Sequence, residues 1–263
     1  AGKIESLDPA QANTLRTLQI LSALGDTLYK INKEGNLYPN LASGLPKSSR
    51  NRLIIDIPLK ENIYFHDGSV FNAAAMKFSL DRFMNIGTLN YLLNDKIEAT
   101  EVKEEFLLRI KLKKPSSSLK ILLTSVNLTP VSPNSYSNYK DKFNNKNFIG
   151  TGPYLLESFS SNQQKIKPFK NYWGKKPLNN GIDFVNYSNS STLFGAIKTR
   201  EVDVLVSNSI DDLQRLTLNN MVKNKKIKSG EGPPIEIGYI TFKSNNLPLE
   251  NITIREALSY TLD

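Results

Sequence analysis

The sequence predicts an α/β fold. Stretches in which apolar residues recur with a helical period are interleaved with stretches of strand alternation along all 263 residues, and that interleaving favours an α/β arrangement over a bundle or a sandwich. No apolar run approaches the roughly 18 residues that a membrane span needs, and no internal repeat is present. With 39% apolar and 22% charged residues, the chain has the composition of an ordinary globular protein that can bury a sizeable core.

Taken in order, the chain opens with a short strand, Lys3 to Leu7, and an Asp8-Pro9 turn. Leu15, Leu18, Leu21, Leu24 and Leu28 predict a helix over Thr14 to Tyr29, with Thr14 capping its first turn. Asn36 to Leu45 reads as irregular. Leu53 to Leu59 alternates as a strand, and Pro58 argues for a sheet edge. Asp67-Gly68 makes a turn, and from the N-cap Asn72 the residues Ala73, Met76, Leu80 and Phe83 give a helix one apolar face.

Next come a strand over Val102 to Leu112, a short helix over Pro115 to Leu123 and a proline-rich crossing at Thr129 to Pro133. Asn138 to Phe148 is expected to be an exposed loop. Strands are predicted at Tyr154 to Phe159, Ile182 to Tyr187, Val202 to Val206 and Ile235 to Thr241, and helices at Ser191 to Thr199 and Asp211 to Leu216. Asn251 nucleates a last helix whose stripe is Ile254, Ala257, Leu258 and Leu262.

Several chemistries are unsupported by these residues. There is no cysteine, which removes disulfides, thiol catalysis and cysteine-bound metal, and His66 is the only histidine. His-pair metal sites are therefore excluded, and a Ser-His-Asp triad would depend wholly on His66, which is expected to make structural bonds in its turn. Glu104-Glu105 and Asp211-Asp212 are sequence neighbours on surface-like segments rather than opposed carboxylates, so a glycosidase is disfavoured. Gly150-Thr-Gly-Pro-Tyr154 lacks the Lys-Ser or Lys-Thr pair of a phosphate cradle and reads as a turn. The net charge is +9. The densest basic run, Lys223 to Lys228, has no interleaved aromatics and reads as a solvated turn, leaving a nucleic-acid-binding module as a remote alternative.

Four ordered motifs carry a resemblance: Ser6-Leu-Asp-Pro9, the Phe65-His-Asp-Gly68 turn with its helix ending Leu80-Asp-Arg-Phe83, Gly150 to Tyr154, and Pro248 to Asp263. Together the chain resembles the family 5 extracellular solute-binding proteins, the peptide-, nickel- and dipeptide-type receptors of ABC importers. The match runs from end to end, but such receptors are much longer, so the chain resembles the first half of one. The resemblance implies a type II periplasmic-binding-protein-like first lobe with an inserted smaller α/β subdomain and the second lobe missing. Residues 1–25 and 132–240 would form the core subdomain, 26–131 the insert, and 241–263 the hinge crossing and first second-lobe helix.

The same resemblance implies a function. The chain is expected to be a receptor and not an enzyme, without cofactor or metal. It would capture peptides, or nickel, haem or another small solute, by closure of two lobes and deliver them to ABC permease subunits, with no role for nucleic acid. Expected ligand contacts are Asn13, Thr14, Leu15, Tyr91, Ser207, Asn208 and Tyr239; Trp173 is expected to be a core anchor. The expected location is periplasmic or extracellular, with a lipid anchor as one form of the full-length precursor; no leader is legible at AGKIESLDP.

Two departures from the family pattern carry expectations. Ala75 stands where an acidic residue would close a capping box. Arg200 stands where glycine is usual, so a left-handed conformation there would cost about 1 kcal/mol. The stripe of the last helix, at Ile254, Leu258 and Leu262, is expected to pack on a second copy of the chain or on a surface of this one that the second lobe would cover, the first of these being self-association.

Overall fold

The computed structural model describes residues 4, 6–136, 148–160, 162–205, 210–230 and 240–261. The chain divides into two compact units, 1–209 and 210–263. In the first, a 3-10 turn at Pro9–Gln11 is capped by Asp8, whose carboxylate accepts the Ala10 N–H at 3.0 Å. Helix α1 (Leu15–Leu24) starts where Thr14 Oγ1 accepts the Thr17 N–H at 3.3 Å, and it buries Ile20, Leu21 and Leu24. It ends well before the expected Tyr29. Backbone at Gly25 presses on another segment so closely that a Cβ would lie 2.2 Å from Thr129 Cγ2, and beyond it Tyr29 enters a strand. That strand, β1 (Tyr29–Ile31), pairs antiparallel with β2 (Leu37–Pro39), which lies in the stretch expected to be irregular. Three residues ending in proline are too few to show alternation.

The next strands are β3 (Lys47–Ser48) and β4 (Ile54–Pro58), then come helices α2 (Ala73–Ile86) and α3 (Tyr91–Asn94) and strands β5 (Ile97–Glu104) and β6 (Leu107–Leu112). The four strands form an antiparallel sheet in the order β3-β4-β6-β5. Two expectations are corrected here. β4 is not an edge strand: β6 flanks it along its length, and Pro58 is tolerated because β3 pairs only with Ile55 and Asp56. Val102 to Leu112 is not one strand but part of the β5–β6 hairpin, which turns at Glu105-Phe106. The turn is anchored, since the Glu105 carbonyl accepts the Ala73 N–H at 2.8 Å.

Helix α2 lies on this sheet. Asn72 Oδ1 accepts the Ala75 N–H at 3.0 Å, and Ala75, Met76, Ser79, Leu80, Arg82 and Phe83 are buried. Ala75, Met76, Leu80 and Phe83 complete a core with Tyr29, Leu41, Ile55, Ile57, Phe65, Phe71, Leu108 and Ile110. A second core gathers Ile4, Leu7, Ile20, Leu21, Leu24, Val131 and Ile166. Phe148 joins it at 1% exposure, contrary to its expected place in an exposed loop; residues 137–147 lie outside the described residues. Arg82 reaches back to Asp8 with a bidentate pair at 2.8 and 2.5 Å, both side chains being buried.

Helix α4 (Leu119–Leu122) is succeeded by a three-stranded antiparallel meander, β7 (Tyr154–Phe159), β8 (Gln163–Pro168) and β9 (Ile182–Val185). Helix α5 (Ser190–Thr199) is capped by Asn189 and ends at Arg200, which adopts the left-handed conformation at φ 62°. Val202–Leu205 is not the expected buried strand: it pairs with no strand among the described residues, and Val204 is 73% exposed.

In the second unit, α6 (Asp212–Lys223) opens with a capping box between Asp211 and Gln214 and runs past the expected Leu216. Helix α7 (Ile252–Ser259) starts at Asn251, whose Oδ1 accepts the Thr253 N–H at 2.9 Å. It buries none of its residues, and Leu258 is 40% exposed. Ile254 is half-buried; Leu262 and the Ile235 to Tyr239 stretch lie outside the described residues.

Candidate ligand-facing site

The first three expected contacts sit on a turn that other segments hold rigid. Asn127, just before the Pro-rich crossing, donates from Nδ2 to the carbonyls of Pro9 (2.9 Å) and Ala12 (2.7 Å). Asp8 caps the same turn while paired with Arg82. Asn13 and Thr14 are exposed, and Leu15 is 37% exposed at the first position of α1. Thr14 Oγ1 is already engaged as the cap and lies 2.8 Å from Thr17 Oγ1. Asn13 and Leu15 thus offer an amide and an apolar side chain at the helix start, on a backbone that needs no ligand to order it.

Tyr91 belongs to a neighbouring segment. The α2–α3 connection is tied to the turn by the Thr88 N–H donating to the Ala10 carbonyl at 2.9 Å, and Tyr91, 54% exposed, is the first residue of α3. Asn90 and Asn94 both donate to the Met84 carbonyl, fixing α3 to the end of α2. Ser207, Asn208 and Tyr239 lie outside the described residues. Sequence reasoning missed Asn127, because nothing local specifies carbonyls 118 and 115 residues away in sequence. It also missed Arg16, whose guanidinium donates to Asn186 Oδ1 at 3.4 Å.

His66 is built into the scaffold. Its Nε2 faces the Gly152 carbonyl at 3.0 Å, and its Nδ1 accepts the Gly150 N–H at 3.4 Å, so the ring is neutral with the proton on Nε2. Burial pushes its pKa below the usual 6.5, against the opposing effects of the Gly152 bond and the Asp67 charge. Asp67 is itself partly buried, which works to raise its pKa, yet hydrogen bonds from Ser132, Ser69 and Ser135 hold it below the ordinary value. The serine hydroxyls thus serve Asp67, and His66 serves the Gly150 to Tyr154 turn, which a nucleophile–base pair would not do.

Trp173 is an anchor as expected. Its Nε1 donates to Asp26 Oδ2 at 3.1 Å, and Asp26, only 4% exposed, also accepts from Asn40 (3.2 Å) and Tyr172 (3.4 Å). Lys60 sits 4.4 Å from the Trp173 ring centroid, and burial lowers its pKa despite the Asp26 charge. Among the described residues no cluster of three His, Cys, Asp or Glu side chains is placed to hold a metal ion.

Known proteins share this sequence pattern and fold. The sequence model of the family described as bacterial extracellular solute-binding proteins, family 5 Middle, matches residues 36–263. The glutathione-binding protein GsiB of Salmonella typhi is 29% identical over 262 residues, covering 98% of this chain and 50% of the relative. The chain therefore spans about half the length of the curated relatives it matches. Two solved structures share the fold. The dipeptide-binding protein of Pseudoalteromonas sp. SM9913 in complex with Met-Leu superposes at a TM-score of 0.86 and 20% identity, over 100% of this chain and 56% of that one. NikZ of Campylobacter jejuni in complex with Ni(L-His) superposes at 0.79 and 22% identity, over 99% and 52%.

Proposed function

Because this chain belongs to the bacterial extracellular solute-binding proteins of family 5, we propose that it is the first-lobe portion of the substrate-binding component of an ABC importer, and that its solute is a peptide. The observation that carries the reading is the turn fixed by Asn127, Asp8 and Thr88, which presents Asn13 and Leu15 on ordered backbone beside the segment of Tyr91. Extended peptides suit such a surface, since backbone hydrogen bonds give affinity without a required side chain. We keep the division into 1–25 with 132–240, an inserted 26–131, and 241–263 leading to a second lobe as part of the proposal; the separation of one core centred on α2 and its sheet from another around α1 and Ile166 supports its first two parts. Ser207, Asn208 and Tyr239 complete the proposed contact set. In this reading the protein works outside the cytoplasmic membrane, periplasmic or extracellular, with a lipid anchor as one form of the full-length precursor, and hands solute to permease subunits without catalysis.

Capture needs both walls, because a half-site forfeits contacts and desolvation together. Calorimetry of this chain with a mixed peptide library is expected to show no heat, whereas the protein at the full length of its relatives binds with micromolar affinity. Failure of the full-length protein to bind any peptide would overturn the reading. A nickel, haem or other small-solute receptor of the same family is the alternative. It would draw its ligands from elsewhere, since both His66 ring nitrogens are engaged by the Gly150–Gly152 backbone; titration with nickel and free histidine separates the two.

A further inference from the structure

Between Glu157 and Asp183 the chain carries five lysines, Lys165, Lys167, Lys170, Lys175 and Lys176, and no carboxylate. Lys165 and Lys167 are matched by the flanking acids, Asp183 at 3.4 Å and Glu157 at 3.4 Å. Lys170, Lys175 and Lys176 have no such match and are exposed on the loop joining β8 to β9. On the same loop Leu178 is 96% exposed. Two bonds bracket Lys175, Lys176 and Leu178: Trp173 Nε1 donates to buried Asp26 at 3.1 Å, and Asn179 Oδ1 accepts from Tyr154 Oη at 2.8 Å. Anchors on either side mean that the leucine is displayed and not merely loose.

We propose that the 170–178 loop docks on an anionic lipid surface, with Lys170, Lys175 and Lys176 facing headgroups and Leu178 inserting at the headgroup–acyl boundary. Charge complementarity selects an acidic partner. The single apolar side chain favours lipid over protein, because a protein interface needs a buried apolar cluster at its centre, while one leucine among lysines suits a deformable interface where basic residues add attraction one by one. Such docking is weak and salt-sensitive.

The test is cosedimentation of the 263-residue chain with vesicles of phosphatidylcholine alone or mixed equally with phosphatidylglycerol, at low and high salt. Binding is expected only to the mixed vesicles at low salt. The Lys175→Glu/Lys176→Glu pair should lower it by about tenfold or more, and Leu178→Ser by about threefold. Lys113→Glu/Lys114→Glu, an equal charge change at another exposed site, should leave most of it. No binding by the parent chain, or equal loss from the two lysine pairs, overturns the proposal. So does binding to immobilised polyglutamate without binding to vesicles, which would assign the loop to an acidic protein surface.

Discussion

Helices α2 and α7 begin alike and end differently. Both are capped by an asparagine, Asn72 and Asn251, whose side chain accepts a first-turn N–H, and both carry an apolar stripe. Yet α2 buries seven of its residues, while α7 buries none. Two causes that are easily merged come apart in this pair. Capping and periodicity decide where a helix forms, whereas burial depends on what lies opposite; α2 has the β3-β4-β6-β5 sheet, and no residue of α7 is buried.

The largest expected effect comes from the charge inside the α2 interface. Arg82→Ala strands a buried Asp8 carboxylate, so it should cost about 3–5 kcal/mol, read as the shift in a urea unfolding midpoint. Combining Arg82→Met with Asp8→Asn should recover part of that loss, because the penalty lies in the unpaired charge. A smaller contrast comes from cavities. Leu80→Ala, at a position with 0% exposure, should cost about 2–5 kcal/mol. Leu258→Ala should change the same transition by less than about 0.5 kcal/mol. Equal costs would mean that α7 is buried after all.

Capping should show the same asymmetry at lower amplitude. Asn72→Ala removes a bond to the Ala75 N–H and should cost about 1 kcal/mol, while Asn251→Ala should lower helix content by circular dichroism and leave the unfolding midpoint in place. Last comes a pH effect confined to the core side. His66 binds its proton less readily folded than unfolded, because burial depresses its pKa below 6.5. The unfolded chain is therefore protonated first as pH falls, and stability should decline below about pH 6.5 and level off once the folded pKa is passed. Melts of His66→Gln should lack that step. Asp67, also depressed, should add a second loss below the ordinary carboxylate value of 3.8.

Legibility in the sequence varied with how local the cause was. Asn72, Asn251 and Thr14 are visible there because caps are set within a few residues, and the left-handed Arg200 came through the glycine that the resembling family has there. The end of α1 was not, since Gly25 stops that helix through close approach to Thr129, and neither was the β5–β6 hairpin, whose turn at Glu105-Phe106 has no glycine, proline or asparagine to mark it. Asn13, Leu15 and Tyr91 were nominated through a resemblance to a family. The residue that fixes their turn, Asn127, was beyond reach because its two acceptors are distant in sequence.

Native-state hydrogen exchange tests the contrast most directly. The amides of Leu80, Arg82 and Phe83 in α2 should exchange only through global unfolding, whereas those of Ala257 and Leu258 in α7 should exchange at close to the rate of an unstructured peptide, as a short helix without packing does. Protection of Ala257 and Leu258 equal to that of Leu80 would contradict the account, for it would mean that the α7 stripe has found a partner surface.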